Sequence, residues 1–320
     1  MKIVFLGTPD FAVPSLQALI NSRHQVLAAV TQPDKPVGRH GKIEFCPVKK
    51  LAISNNIPVY QFEKIRRDGV EDLKKLNADI FVTCAYGQIL SQEVLDIAPH
   101  GVINVHGSLL PKYRGAAPIQ WSIINGDKIT GITILQTQIG MDDGPMILKQ
   151  ETEILPGETA GELFDRLAPM GAECLLKALD LIENGKATFT EQNADEVVMC
   201  KMLKRENFKP DFNMNAQQFI NLIHGLNPWP SMQVLINDTK FKLLRAQMAN
   251  MQQLSSFNVC VDNFENGEVI CAKPKLGLII KVGGSAVNIT ELQPENGKIM
   301  PSKSYLNGKQ IDEHSKILSI

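Results

Sequence analysis

The sequence lacks the long apolar runs that mark membrane proteins. Its 320 residues contain no uninterrupted apolar run of the ~18 residues that a membrane-spanning helix needs. The apolar run after Lys2 is too short for a signal peptide, because Pro9 and Asp10 interrupt it. We therefore expect a cytoplasmic protein that has no membrane partner.

The patterns of disulfide-rich and zinc-binding proteins are also missing. The six cysteines are scattered, with no CxxC pair and no cluster of cysteine with histidine. Such spacing is typical of reduced thiols in a cytosolic protein, since disulfide frameworks and zinc sites require close, regular spacing. We expect no metal and no disulfide.

The chain also has no excess of positive or of negative residues. The chain has 33 Lys and Arg against 34 Asp and Glu, a formal net charge of −1. Affinity for nucleic acid comes from Lys and Arg at the phosphates, so such a partner would require local basic clusters. A dinucleotide is poorly supported too, because the turn after the first apolar strand has one glycine, Gly7, in place of G-x-G-x-x-G.

The residues that are present predict an α/β domain at the N-terminus. Apolar strands at 2–6 and 25–31 enclose a segment with helical spacing, which is typical of a Rossmann-like, mostly parallel sheet covered by helices. The run at 78–85 is almost continuously apolar. That pattern is expected for a strand buried on both faces.

The pattern changes after a long helix expected at 159–184. This helix opens with a capping box, Thr159-x-x-Glu162, and contains Pro169, where a kink or break is expected. About five short β-like runs follow the Asn227-Pro228-Trp229-Pro230 turn, which predicts a small antiparallel, OB-like β-barrel. We place a catalytic domain at 1–188, a linker at 189–206 and the barrel domain at 207–320.

Two polar side chains end a buried strand in the stretch GVINVHGSLLPKYRGAAPIQ, residues 101–120. A strand has a period of two, so Asn104 and His106 lie on the same face. The end of a buried strand is where an α/β fold places its ligand. Asp142 follows another expected strand, at 130–138, in a glycine-flanked loop. It is either a turn aspartate or a carboxylate that orients His106.

Together these three side chains suit acyl transfer or hydrolysis through a tetrahedral intermediate. An amide such as that of Asn104 can hold a developing oxyanion, and a histidine such as His106 can assist it or move a proton. Ser108 lies outside any G-x-S-x-G motif, so direct attack by a substrate amine or by water is favoured over a covalent enzyme intermediate. A histidine satisfied in the core is the simpler alternative.

Basic residues collect in two irregular segments. The segment 32–47 is rich in proline and glycine and contains Arg39 and Lys42. It is either a solvated loop or a mobile basic loop that meets a phosphate-rich partner. The polar segment 187–211 contains Lys204 and Arg205 among further lysines.

The string HGSLLPKYRGAAPIQ, with Asn104-x-His106 and with Asp142 in a G-x-D-x-G context, resembles the folate-dependent formyltransferases. Further similar strings are FLGTPDFAVPSL, TQPDKPVGR, CAYGQIL and NPWP. One departure is Asp143-Gly144-Pro145, where the family commonly has T-G-D. The resemblance extends from the first residue to at least Pro230.

This resemblance implies an activity in translation initiation. A formyl group would pass from the co-substrate 10-formyltetrahydrofolate to the α-amino group of methionine on the initiator tRNA. The amine would attack directly. Asn104 would hold the oxyanion, His106 would assist it and handle a proton, and Asp142 would tune His106 and the leaving nitrogen.

The resemblance also implies the binding residues. A folate pocket would be formed by Ser108, Leu109, Leu110, Pro111, Tyr86 and Gly87. The tRNA would be held by Arg39, Lys42, Lys204 and Arg205, with the OB-like domain holding its remainder. We expect the enzyme to act as a monomer.

Three alternatives belong to other classes. A formyltransferase that acts on a small amine would share the three catalytic side chains, but a small substrate needs neither the basic loop nor the barrel. A formylfolate hydrolase would use water in place of the amine. A tRNA-binding module without catalysis would leave Asn104, His106 and Asp142 unexplained.

Overall fold

Two compact units make up the chain. The computed structural model describes residues 1–37 and 42–320, apart from the side chains at 37, 42 and 207. The first unit comprises Met1–Pro118, Ile129–Glu153 and Phe164–Cys200. The second comprises Ile119–Lys128, Ile154–Leu163 and Lys201–Ile320.

The secondary structure begins and ends at the following residues. The strands are β1 (Lys2–Gly7), β2 (Gln25–Thr31), β3 (Pro36–Val37), β4 (Lys42–Ile43), β5 (Val59–Gln61), β6 (Ile80–Cys84), β7 (Val102–His106), β8 (Lys112–Gly115), β9 (Ile129–Gln136), β10 (Met146–Glu153), β11 (Val198–Cys200), β12 (Met232–Ile236), β13 (Thr239–Met248), β14 (Val269–Lys273), β15 (Gly277–Val282), β16 (Ser285–Pro294), β17 (Met300–Pro301) and β18 (Ile317–Ser319). The helices are α1 (Val13–Ile20), α2 (Pro47–Ser54), α3 (Ile65–Asp68), α4 (Val70–Lys75), α5 (Gln92–Leu95), α6 (Pro118–Ile124), α7 (Ala160–Glu183), α8 (Ala216–Gly225), α9 (Met251–Ser256) and α10 (Ser302–Leu306).

The first unit is built on a seven-stranded sheet in the order β10-β9-β7-β6-β1-β2-β5. The pairs from β7 to β5 are parallel, whereas β9 runs antiparallel to β7 and β10 runs antiparallel to β9. The side chains of β6 are all buried, as a strand with helices on both faces requires. The prediction of a Rossmann-like, mostly parallel sheet is confirmed.

Helix α7 matches its sequence signals except at the proline. The capping box forms, since the Thr159 backbone N–H donates to Glu162 Oε2 at 2.9 Å and the Glu162 N–H faces Thr159 Oγ1 at 3.4 Å. Of the kink or break that Pro169 allows, the break does not occur, because the helix continues to Glu183. A buried apolar stripe that includes Leu163, Leu167 and Leu175 stabilises this helix and offsets the backbone bond that proline cannot make.

The segment 65–76 has apolar residues at helical spacing but does not form one continuous helix. The structure has two short helices there, α3 and α4, separated by Gly69. Glycine disfavours a helix interior by about 1 kcal/mol relative to alanine. The break therefore falls at the residue with the weakest helix propensity.

An antiparallel sheet forms the core of the second unit. Its strands lie in the order β14-β15-β16-β13-β12-β18, and β17 pairs with β16. The five strands expected from the sequence correspond to β12 to β16, and the barrel-like antiparallel class is confirmed. The sequence pattern missed β17 and β18, because they have two and three residues and β18 buries only Ile317.

Part of the expected linker is a strand of the first unit. Strand β11 pairs in parallel with β8, joining residues 198–200 to residues 112–115. The domain boundaries at 188 and 206 stay a prediction. Among the helices of the described residues, none combines the length and the apolar character that a membrane crossing requires.

Candidate active site

Strand β7 brings Asn104 and His106 to the site. The strand lies between β6 and β9, with Asn104 paired to Thr83 on one side and His106 paired to Thr133 on the other. His106 is buried and Asn104 is half-buried. Their two side chains reach the same carboxylate, that of Asp142 in the segment between β9 and β10.

The Asp142 carboxylate contacts three groups on two strands of the first unit, β7 and β8. Its Oδ1 accepts a hydrogen bond from Asn104 Nδ2 at 3.3 Å, and its Oδ2 accepts one from the Gly115 backbone N–H at 3.0 Å. His106 Nδ1 lies 3.6 Å from Oδ2. That distance is too long for a hydrogen bond but close enough for a strong electrostatic interaction with a protonated ring.

The amide of Asn104 has a fixed orientation. A carboxylate only accepts hydrogen bonds, so the group that faces Asp142 is the amide NH2. The amide oxygen then faces the buried Thr83 hydroxyl, which donates to it at 2.9 Å. Thr83 thus directs the Asn104 N–H donors into the site, which sequence reasoning did not foresee.

The proton on the neutral His106 ring also has a fixed position. Its Nε2 lies 2.9 Å from the backbone carbonyl of Tyr113, and a carbonyl only accepts, so Nε2 carries the hydrogen. The same carbonyl accepts from the Cys200 thiol at 3.4 Å. Burial raises the pKa of Cys200 to about 11, so this thiol keeps its proton. Nδ1 is therefore the nitrogen of His106 that can take a proton.

Two residues of the site have left-handed backbone conformations. The φ angles of Asp142 and Tyr113 are 51° and 65°, and neither residue is glycine. Such conformations cost of the order of 1–3 kcal/mol and persist where the surroundings enforce them, commonly at functional sites. These two backbone conformations position the Asp142 carboxylate and the Tyr113 carbonyl for the contacts described above.

Glycines at 115 and 144 allow the backbone to close around Asp142. A Cβ on Gly115 would lie 2.3 Å from the Cys200 carbonyl oxygen, and a Cβ on Gly144 would lie 1.9 Å from that of Gln136. Both contacts are to backbone, which cannot move aside. Any larger residue at either position would displace the segment that holds Asp142.

The segment of residues 107–111 between β7 and β8, which we call the β7 loop, bonds mainly to its own surroundings. The hydroxyl of Ser108 donates to the Lys112 carbonyl, and the Ser108 carbonyl accepts from Thr133 Oγ1, both at 2.7 Å. The Leu110 N–H donates to Thr133 Oγ1 and its carbonyl accepts from Lys149 Nζ. Most of the polar groups expected to bind folate here thus have partners within the protein.

Tyr86 and Gly87 lie after β6. Tyr86 is buried in a hydrophobic cluster with Phe62, Leu90 and Val94. Its carbonyl accepts from Gln32 Nε2 at 3.0 Å, whereas its hydroxyl has no hydrogen-bond partner among the described residues. Burial raises the pKa of the Tyr86 phenol.

A cavity of about 880 Å3 adjoins the Asp142 segment in the first unit. It is formed by Gln92, Leu95, Asp96, Ala98, Pro99, His100, Gly101, Val102, Gln136, Thr137, Gln138, Ile139, Gly140, Asp143, Ile182 and Phe189. None of the six residues expected to bind folate is among them. Two buried atoms of this set, Thr137 Oγ1 and Asp143 Oδ1, have no hydrogen-bond partner within the described ranges.

The residues expected to bind tRNA are only partly described. Arg39 and the side chain of Lys42 lie outside the described residues. Lys204 and Arg205 are exposed in the second unit, with Lys204 Nζ 4.0 Å from a carboxylate oxygen of Glu206. Both are accessible to a phosphate backbone.

In the described part of the chain, one group of side chains has its potential metal-ligand atoms within 4.8 Å of one another. It consists of His24, Asp180 and Glu183. Arg23 pairs with both carboxylates, at 2.7 Å to Asp180 and 2.6 Å to Glu183. The Met1 ammonium also pairs with Glu183 at 3.0 Å, so two protein cations already balance the two carboxylates. The group lies outside the Asn104, His106 and Asp142 arrangement.

Sequence profiles of known families account for most of this chain. The formyl transferase profile matches residues 1–179, and the profile of the formyl transferase C-terminal domain matches residues 202–310. The chain belongs to the formyl transferase family. Asn104, His106 and Asp142 all lie inside the first match.

Two relatives from this family match the chain almost from end to end. The chain is 42% identical to the methionyl-tRNA formyltransferase of Ruminiclostridium cellulolyticum over 324 residues, covering 99% of each chain. It is 43% identical to the methionyl-tRNA formyltransferase of Acetivibrio thermocellus over 314 residues, covering 98% of each.

Solved formyl transferases share the fold. The crystal structure of WlaRD, a sugar 3N-formyl transferase in the presence of dTDP and 5-N-formyl-THF, superposes with a TM-score of 0.64 at 21% identity. The match covers 90% of this chain and 96% of that one. At this identity, the likeness supports the architecture and not the acceptor.

Proposed function

We propose that this chain transfers the formyl group of 10-formyltetrahydrofolate to the α-amino group of methionine on the initiator tRNA. The near-complete coverage by methionyl-tRNA formyltransferases supports this acceptor. The observation that carries the chemistry is the convergence of the Asn104 amide, the His106 ring and the Asp142 carboxylate.

The proposed reaction begins with attack of the amine nitrogen on the formyl carbon. A C–N bond forms and the formyl oxygen takes the negative charge. The Asn104 N–H groups, directed into the site by Thr83, donate to that oxyanion. Removal of one such donor typically costs about 10²–10³-fold in kcat.

Proton transfer is assigned to His106 Nδ1. The Tyr113 carbonyl keeps the hydrogen on Nε2, so Nδ1 can take the proton that the attacking amine loses. The ring then becomes a cation beside Asp142, whose carboxylate stabilises it across 3.6 Å. The oxyanion then collapses to the carbonyl of the new formamide, the bond between the formyl carbon and the folate nitrogen breaks, and protonated His106 gives its proton to that leaving nitrogen. These steps use no metal.

We place the formyl donor in the cavity of about 880 Å3 beside Asp142. Ligand cavities of roughly 300–1,000 Å3 are typical of small-molecule sites. Thr137 and Asp143 line this cavity, and their Oγ1 and Oδ1 atoms are buried without a hydrogen-bond partner among the described residues, which supports a ligand at this place. In this placement the β7 loop, with Ser108 to Pro111, supports the site and does not line the pocket.

The tRNA is assigned to basic residues at several points of the chain. Lys204 and Arg205 are exposed in the second unit, and Arg39 and Lys42 belong to the basic segment expected from the sequence. A chain with a net charge of −1 can bind tRNA where such residues cluster.

We propose that the enzyme acts as a monomer. The elution volume of the purified protein in size-exclusion chromatography would check this.

The acceptor is tested by a formylation assay with three reactions. Purified protein and 10-formyltetrahydrofolate are mixed with charged initiator tRNA, with an amino-sugar nucleotide, or with no acceptor. We expect formyl-methionyl-tRNA to form with a kcat/KM at least ~100-fold above that of the small amine. Preferential formylation of the small amine would overturn the acceptor, and release of formate without an acceptor would indicate a hydrolase.

A further inference from the structure

Gln192 forms hydrogen bonds to the Asp142 segment and to β8, although it does not belong to the Asn104, His106 and Asp142 arrangement. It lies in residues 180–201, between the two segments that match the family profiles. The segment is anchored in the first unit on both sides. Thr190 and Met146 exchange backbone hydrogen bonds at 2.8 and 2.9 Å, and β11 pairs with β8.

Three hydrogen bonds fix the side-chain amide of Gln192. Its Nε2 donates to the backbone carbonyls of Asp142 and Gly144, both at 2.8 Å. Its Oε1 accepts from Arg114 Nε at 2.8 Å. Carbonyls only accept and a guanidinium only donates, so this orientation of the amide satisfies all three partners and the reverse satisfies none.

The bonds reach both sides of the Asp142 side chain. On one side, Gln192 bonds to the backbone carbonyls of Asp142 and Gly144. The φ angle of Asp142 in this backbone is 51°. The other side is β8, where Arg114 precedes Gly115, the residue whose N–H donates to the Asp142 carboxylate. A strained conformation persists only where its surroundings enforce it, and Gln192 supplies two of the enforcing bonds.

We infer that Gln192 is a positioning residue for formyl transfer. It holds the Asp142 carboxylate at its distances from Asn104 and His106, and it does not contact the reacting atoms. This inference rests on the proposed function for its kinetic readout and on geometry alone for its structural readout.

The test uses two substitutions that keep the length of the side chain. Gln192→Met removes all three hydrogen bonds. Gln192→Glu keeps an acceptor for Arg114 but turns a carboxylate towards two carbonyl oxygens, which repel it. The matched control is Gln17→Met, because Gln17 is half-buried in the first unit and its amide bonds only Asn21 among the described residues.

We expect kcat to fall by about 10–100-fold in Gln192→Met, as is typical when a group that orients a functional ligand is lost. In Gln192→Glu, kcat should fall further than in Gln192→Met. KM for both substrates should change by less than about threefold, because neither substrate touches Gln192 in the proposed arrangement. A merely space-filling role would leave Gln192→Met at the wild-type kcat, as Gln17→Met should be.

Amide hydrogen exchange gives a readout that does not depend on activity. Peptides that cover residues 140–145 should exchange faster in both Gln192 variants, while peptides from β1 should be unchanged. Unchanged exchange at 140–145, or a kcat within twofold of wild type in both variants, would overturn the inference. If the wild-type protein formylated no amine, the proposed function would fail, and the exchange result would still decide whether Gln192 holds the Asp142 segment.

Discussion

Two loops that leave neighbouring strands at opposite ends of the first sheet differ in how their polar groups are used. The β7 loop, residues 107–111, bonds inward through Ser108 and Leu110 to Thr133, Lys112 and Lys149. The segment of residues 137–145 between β9 and β10, which we call the β9 loop, contains buried oxygens that have no partner in the described protein, Thr137 Oγ1 and Asp143 Oδ1.

This difference in hydrogen bonding indicates that the two loops have different roles. Buried polar groups are nearly always satisfied, and an exception points to a ligand or a functional role. In the proposed arrangement, the β7 loop stabilises the end of the strand that contains His106, whereas the β9 loop contributes the Asp142 carboxylate and the cavity for the formyl donor. The family resemblance implies a folate pocket formed by Ser108 to Pro111 with Tyr86 and Gly87, which stays a prediction, and our placement of the donor beside the β9 loop differs from it.

The largest expected effect concerns the two adjacent aspartates of the β9 loop. Asp142→Asn removes the charge that stabilises protonated His106, and kcat should fall by about 10²–10⁴-fold with little change in KM. Asp143→Asn should instead raise KM for the formyl donor and leave kcat within a few-fold. Steady-state kinetics on both variants checks this, and equal kcat losses would break the distinction between them.

Gly144→Ala is expected to have the next largest effect. The new Cβ would lie 1.9 Å from the Gln136 carbonyl oxygen, so the β9 loop must move. Overpacking of this kind destabilises by about 1–3 kcal/mol. Denaturant unfolding should show that loss, and kcat should fall because Asp142 moves with the backbone. Wild-type kcat in a destabilised variant would contradict the tie between loop geometry and catalysis.

A matched pair of threonines compares the loops directly. Thr133→Val leaves the Ser108 carbonyl and Leu110 N–H without a partner, which should cost about 1–3 kcal/mol of stability. Thr137→Val removes a buried hydroxyl that has no hydrogen-bond partner among the described residues, so stability should not fall and should rise by up to about 1–3 kcal/mol.

The same pair should diverge in kinetics. Thr137→Val should raise KM for 10-formyltetrahydrofolate by about threefold to tenfold, the usual range for one hydrogen bond, and Thr133→Val should leave it unchanged. Unfolding midpoints and donor titrations measure the two effects. If Thr133→Val raised KM and Thr137→Val lowered stability, the roles of the loops would be reversed.

The smallest effect is expected for Tyr86→Phe. The Tyr86 hydroxyl is buried without a hydrogen-bond partner among the described residues, but Tyr86 does not line the cavity in which we place the donor. Its removal should therefore not lower stability and should leave the KM for the donor unchanged. A marked rise in that KM would return Tyr86 to the folate pocket that the resemblance implied.

The parts of the fold that could be predicted from the sequence are the elements long enough to show a periodic pattern of apolar residues. The apolar strands at the centre of the first sheet and the five longer strands of the second unit have enough residues to show a pattern. The capping box of Thr159 and Glu162 was readable because its partners are three residues apart. Short elements such as β17 and β18 show no period and were missed.

The site could be predicted only where one strand or one motif contains it. Asn104 and His106 share a strand, and the resemblance pointed to Asp142. Thr83 and Gln192 were missed because each reaches the site from a segment far away in the chain, Thr83 from β6 and Gln192 from a stretch of polar residues without periodicity. Their roles depend on the sheet order and on the pairing of β11 with β8, which no local pattern encodes.

The most direct test of the account is the single-turnover rate of formyl transfer in His106→Gln. A glutamine amide can donate to the Tyr113 carbonyl as Nε2 does, but it offers no basic nitrogen in place of Nδ1. With saturating 10-formyltetrahydrofolate and methionyl-tRNA, the account predicts a rate at least ~100-fold below wild type at an unchanged unfolding midpoint. A rate within threefold of wild type in the folded variant would contradict it.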